Sequence, residues 1–250
     1  MKNCWAACLG NCSDKISGEH IVSAGMFDTD TVMVQGFSWC LNAPKEIGLA
    51  SLVKNVLCTT HNSELSPVDE AGIAARNILK ECVRLNDVRS KIGHGRWNLS
   101  RFEVVGLDLE RWGLKTLITL GYGQSPVGAQ SKDSKTPDER LVEICFGKAQ
   151  FNPRAGLYMF GETGYTFPLE DKVNIITMSD VNNTFISGAT FFLYGFQFVL
   201  YLDQRGLHPD EVNFVSKDGT IEKRRQPMYR LKGMNFQVGR YISHTIDFLW

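Results

Sequence analysis

The sequence predicts an α+β protein in three successive parts, and three observations carry that expectation. Metal-ligand residue types gather near the start, at Cys4, Cys8, Cys12, Cys58 and His61. Two helical apolar patterns follow, over about residues 67–88 and 107–122. From Leu141 onward the chain changes to short runs of β-branched and aromatic residues separated by turn signals. The expected division is a metal-stapled domain over 1–75, a helical connector and linker over 76–140, and a mainly antiparallel β domain over 141–250.

The first part rests on the chemistry of zinc. A structural zinc ion takes four thiolate or imidazole ligands in a tetrahedron, commonly as two close pairs, and Cys58-x2-His61 is one such pair. The second pair must come from Cys4, Cys8 and Cys12, which compete for two places. Cys4 with Cys12 encloses a seven-residue loop, Cys8 with Cys12 is tighter, and spacing alone leaves the choice open. The alternative is a set of buried free thiols, since unliganded cysteine is itself among the most buried residue types.

Around these ligands stand Ser17-Gly18-Glu19-His20, at the end of a candidate strand, and Asn55-Val56-Leu57-Cys58-Thr59-Thr60-His61-Asn62, which leads into a candidate helix. With these residues, roughly 1–75 resembles the HNH, or ββα-metal, nucleases of the zinc-stapled, treble-clef variety. The resemblance implies that Glu19 is a ligand of a catalytic divalent ion, His20 the general base, Asn62 the second protein ligand and Asn55 the residue that braces the loop and orients the base. Asn55 lies closer to Cys58 than the commoner family pattern has it. A bland reading stands beside each: a surface dipeptide for Glu19-His20 and a helix cap for Asn62.

The implied chemistry is consistent. Water attacking a phosphodiester needs a side chain that accepts a proton near neutral pH, which imidazole does. A carboxylate and an amide suit a hard cation, Mg2+ or Mn2+, that stabilises charge on the phosphorus oxygens and the leaving oxygen. Two metals with separate tasks are therefore expected: structural Zn2+ and catalytic Mg2+ or Mn2+. The implied partner is nucleic acid, DNA ahead of RNA with the choice between them open, and an effector of antiviral defence is one setting the resemblance suggests. The rival reading is a zinc-stapled nucleic-acid- or protein-binding module that keeps the fold without cleavage.

Composition narrows the classes. Apolar content of 43% and charged content of 22% describe an ordinary globular chain of 250 residues. Lys plus Arg equals Asp plus Glu, at 27 each, so no bulk positive field holds nucleic acid. No apolar run reaches the length of a membrane span, and Met1-Lys2-Asn3-Cys4 lacks the apolar core of a secretory signal. The expectation is a cytoplasmic protein without membrane contact, in which seven cysteines serve as ligands and packing residues rather than disulfides. Cys40, Cys82 and Cys145 fall to packing. No internal repeat, P-loop or dinucleotide fingerprint is present.

Between the two halves of the motif, Thr31 to Phe37 reads as a strand and Trp39 as a buried indole. Ser66-Pro67-Val68-Asp69-Glu70 is a helix-start signal, with Cys58 to Leu65 a separate short helix or turn. His94 sits in a Gly-flanked loop. In the second helix Leu109, Trp112, Leu117 and Leu120 share a face, with Glu110, Arg111 and Lys115 on a solvated one. Gly121 to Arg140 has the polar, Pro-punctuated composition of a linker.

In the last part Thr190 to Leu202 reads as one central strand with a bulge at Gly195, neighboured by the alternating strand Ile242 to Phe248. His208, and His244 with Asp247, form no recognisable triad. Glu222-Lys223-Arg224-Arg225 with Arg230 and Lys232 is a basic cluster, read by default as a solvated hairpin. A protein partner or a second copy of the chain is expected to dock on this domain.

Overall fold

The computed structural model describes residues 3–92, 97–159, 173–180, 182–202, 214–215, 221–222 and 228–250. His94, His208 and Lys223-Arg224-Arg225 lie outside them. A 3-10 turn at Ala7–Leu9 leads to β1 (Ile16–His20), then β2 (Thr31–Val34), β3 (Lys45–Gly48) and β4 (Val53–Cys58). β1 and β4 pair antiparallel, Ile16 opposite Cys58 and His20 opposite Val53, with an irregularity between Ser17 and Glu19. β2 and β3 form their own two-stranded ribbon. Trp39, expected inside, stands half exposed at 50%, stacked on Phe37 in the segment joining them. Among the described residues Phe37 stacks on the indole and the Lys45 ammonium lies over it, which leaves half of its surface open.

α1 (Thr59–Ile92) starts directly after Cys58 and runs unbroken through Pro67. The expected start at Ser66 is therefore corrected. Proline lacks the N–H that would bond back one turn, but the preceding turns are held from outside, His61 at the cysteines and Leu65 fully buried. The buried face of α1 carries Leu65, Val68, Gly72, Ala75, Leu79, Cys82 and Val83, a 3-4 spacing that faces the core.

β5 (Ser100–Val105) precedes α2 (Gly106–Gly121) and α3 (Glu139–Cys145), the last capped by the Asp138 side chain. α2 is buried on almost every side. The expected solvated face of Glu110 and Lys115 is instead 2% and 0% exposed, because α1, α3 and two sheets surround the helix.

The remaining strands are β6 (Gly156–Met159), β7 (Val173–Ser179), β8 (Ile186–Leu193), β9 (Phe196–Tyr201), β10 (Phe214–Val215), β11 (Ile221–Glu222), β12 (Met228–Tyr229), β13 (Gly233–Val238) and β14 (Tyr241–Leu249). A five-stranded antiparallel sheet has the order β12-β6-β9-β8-β7. The expected single strand from Thr190 to Leu202 is the β8–β9 hairpin. Tyr194 at φ 49° and Gly195 at φ 80° both take the left-handed region, the requirement of a tight two-residue turn whose twist matches its strands. β14 does not join this sheet; it lies between β13 and β5, antiparallel to the first and parallel to the second.

The architecture is mixed α+β. One apolar cluster reaches from Cys4 to Phe248, and a smaller one gathers Tyr158, Val199 and Tyr201. Val127 bridges to Ile186, tying the 121–140 segment to the edge of β8. No helix among the described residues is long and apolar enough to cross a membrane.

Candidate metal centre and the buried network beside it

The Ala7–Leu9 turn, followed by Gly10 at φ 78° and Asn11 at φ 52°, folds the N-terminal loop back so that Cys4 and Cys12 face the end of β4 and the first turn of α1. Cys4, Cys12, Cys58 and His61 thereby bring their ligand atoms within 4.8 Å of one another. His61 Nδ1 lies 3.3 Å from Cys4 Sγ, 3.3 Å from Cys58 Sγ and 3.7 Å from Cys12 Sγ. Tetrahedral zinc with bonds of about 2.3 Å to sulfur and about 2.05 Å to nitrogen sets these atoms roughly 3.6 Å apart. The group fits a Cys3His zinc site, with Cys4 and Cys12 the N-terminal pair and Cys8 exposed outside it.

The surroundings suit that donor set. Burial pushes the Cys58 thiol up, but N–H groups of His61 and Ser13 and the Ser13 hydroxyl outweigh it and bring the thiol down to about 7. Burial pushes Cys4 up to about 12; a bound dication reverses such a shift by stabilising the thiolate. Burial also lowers His61, keeping the imidazole neutral as a ligand must be. The Gly10 carbonyl accepts a hydrogen bond from that ring and Phe146 packs edge-on against it, the supports that fix a ligating histidine.

The other sequence-predicted residues divide between two faces of the β1–β4 hairpin. His20 is opposite Val53 and so shares its outer face, where Asn55, two residues on, is also exposed. Asn55 lies over Gly18, its Oδ1 3.7 Å from where a Cβ would stand. Glu19, opposite Lys54, points inward and is 3% exposed. Asn62, in the first turn of α1, donates through Nδ2 to Ser17 Oγ at 2.9 Å.

Glu19 is not alone. Its carboxylate pairs with Lys115 Nζ, which also donates to Asp69 Oδ1 at 2.7 Å. Ser23 Oγ donates to the same Asp69 oxygen and accepts from Trp112 Nε1 at 3.0 Å. Gly72 makes the arrangement possible, since a Cβ there would collide with the Trp112 ring. Burial pushes Glu19 up despite the pull of Lys115, whereas for Lys115 the two carboxylates outweigh burial and hold the ammonium protonated.

Lys54 reaches across to the end of α2 and donates to the carbonyls of Thr119, Leu120 and Tyr122 at 3.2, 2.8 and 3.3 Å, satisfying helix-end acceptors. Asp69 and Lys115 were not identified as site residues from the sequence. The available signal was Lys115 itself, a lone charge in the apolar run Gly113-Leu114-Lys115-Thr116-Leu117.

No family model, curated protein or solved structure matches the chain.

Proposed function

We propose that this chain is a zinc-stapled, metal-dependent endonuclease of the HNH kind, hydrolysing phosphodiester bonds of nucleic acid, DNA before RNA. One observation carries the reading: Cys4, Cys12, Cys58 and His61 gather the N-terminal loop, the end of β4 and the first turn of α1, so that Glu19-His20 ends one strand and Asn62 begins the helix. In this reading His20 takes the proton of the attacking water, and Asn55 on the same face orients it. Glu19 and Asn62 are the protein's ligands for a hard dication, Mg2+ or Mn2+, which supplies charge stabilisation at the phosphorus oxygens when bound.

The zinc group acts as structure, with all four of its protein ligands in place and no open position. The balanced charge of the chain argues that a protein partner or a second copy, docking on the C-terminal strands, delivers the substrate. An effector of antiviral defence is a setting for such a regulated enzyme.

The second reading, a zinc-stapled binding module without cleavage, is favoured by the ion pair that engages Glu19. One experiment separates them: metal analysis of the purified protein, then plasmid and oligonucleotide cleavage with Mg2+ or Mn2+ by wild type and His20→Ala. Cleavage that the variant loses supports the nuclease. Nucleic-acid binding without cleavage in either protein supports the module, and absence of zinc overturns both.

A further inference from the structure

Glu19 and Asp69 come from different elements, β1 and α1, yet converge on one point, and a cation already stands there. It is the ammonium of Lys115, 0% exposed, delivered by α2. An ammonium between two carboxylates satisfies much the same charge and oxygen-donor geometry as a small hard dication, and the two cannot occupy one buried space together.

We propose that Lys115 is a tethered cation holding the position a divalent ion takes between Glu19 and Asp69, so that the conformation described is the resting state of the centre and metal enters only when the lysine leaves. The proposal keeps Glu19 as an ion ligand but gives Asp69 the second place that the nuclease reading gives Asn62; it rests on that reading only for its consequence, regulation of cleavage, since its physical claim concerns cation binding alone.

Three features support it. Two carboxylates face one ammonium, and burial works against the charged form of Glu19, which a dication stabilises more strongly than a monovalent cation does. Asp69 is further ordered by the Ser23 hydroxyl, itself held by the Trp112 indole, so its oxygen is fixed whether or not lysine is present. Finally, Lys115 rides on the helix that is anchored to the five-stranded sheet through Glu110, which accepts from the Leu157 N–H at 2.7 Å and pairs with Arg230. A shift of α2 imposed at that sheet would withdraw the ammonium and open the centre.

The test uses zinc-loaded full-length protein and Mn2+ as the probe. Thermal melting and Mn2+ electron paramagnetic resonance titration are recorded for wild type, Lys115→Met, Lys115→Arg and the double variant Lys115→Met/Glu19→Gln. The expected result is Mn2+ binding about tenfold or more tighter in Lys115→Met than in wild type, with a matching rise of its melting temperature. Lys115→Arg, which keeps the charge, and the double variant, which loses a ligand, show no such gain.

Equal Mn2+ affinity in wild type and Lys115→Met overturns the proposal. So does a Lys115→Met protein that stays unfolded at every Mn2+ concentration, because a cation filling the vacated position must restore it. Cleavage is scored separately. Tight Mn2+ binding by Lys115→Met with no cleavage of plasmid or oligonucleotide leaves the tethered cation standing and removes the nuclease reading.

Discussion

Arg230 and Glu110 meet at 2.9 Å, guanidinium nitrogen to carboxylate oxygen, across 120 residues of sequence. The other Glu110 oxygen accepts the Leu157 N–H at 2.7 Å, and Gly156 at φ 118° leaves room for it where a Cβ would collide. Glu110 is nearly sealed from water, whereas the Arg230 side chain keeps 22% of its surface exposed. Removing the two partners should therefore not be equivalent. Arg230→Met strands a buried carboxylate and is expected to cost about 3 kcal/mol, while Glu110→Gln leaves a guanidinium that water can reach and should cost about half of that. Denaturant unfolding of both variants checks the order, and the reverse order would refute the asymmetry.

Gly72 sits under the Trp112 indole with no space for a side chain. Gly72→Ala would gain helix propensity, worth about 1 kcal/mol at an open site, but here overpacking dominates and a net loss of about 1–3 kcal/mol is expected. Because Trp112 donates to Ser23, which orders Asp69, the displaced indole should also loosen the Lys115 network. Tryptophan fluorescence should shift to longer wavelength in the native variant. An unchanged spectrum with unchanged stability would mean that the helices simply separate without penalty.

How far these features were legible depends on which physics set them. The Cys and His group could be read because zinc, the expected ion, demands particular atoms, and Cys58-x2-His61 announces them; that Cys4 and not Cys8 joins Cys12 there required the turn at Ala7–Leu9 and the left-handed Gly10 and Asn11, which spacing does not reveal. The helix of residues 107–122 was recognisable from its period. Its burial on almost every side was not, because Glu110 and Lys115 look solvated until Arg230, Glu19 and Asp69 arrive from distant segments.

Local signals also misled where tertiary contacts overrode them. Ser66-Pro67 looks like a helix start, yet His61, packed among the cysteines, and buried Leu65 hold the turns before it and α1 runs through. Tyr194-Gly195 resembles a bulge because tyrosine rarely adopts positive φ, and only the paired strands on either side make the turn evident.

The cysteines should sort cleanly in a metal assay. Cys4→Ser, Cys12→Ser and Cys58→Ser each remove one of four ligands and are expected to abolish the retention of about one zinc per chain. Cys8→Ser should keep full zinc content and a melting temperature within about 1 °C of wild type, since its thiol is exposed outside the group. Chelator treatment should release the β1–β4 hairpin and the start of α1 to proteolysis. Zinc loss in Cys8→Ser equal to that in Cys12→Ser would show that the loop binds in another register.

His244 makes the fold sensitive to acid. It is fully buried, stacked flat on Phe236 at 4.3 Å, with Nδ1 3.0 Å from Ser243 Oγ. Burial first, and then the nearby Arg89 guanidinium, bring its pKa down to about 4; the Cys82 backbone and Glu81 pull weakly the other way. The unfolded chain takes up this proton near pH 6.5, while the native state refuses it until about pH 4. Above about pH 6.5 both states are neutral and the group contributes nothing to pH dependence. Between these values unfolding is favoured by proton uptake, so stability falls as acid is added, by about 2 kcal/mol from pH 7 to pH 5. His244→Phe keeps an aromatic ring against Phe236 and cannot titrate. It should lose the Ser243 hydrogen bond, and be less stable at neutral pH, but shed this slope. Urea unfolding at pH 7 and pH 5 decides the matter: a slope retained in His244→Phe would assign the acid sensitivity to other groups, the buried carboxylates excepted, because Glu19 and Glu110, pushed up by burial, gain stability on acidification instead.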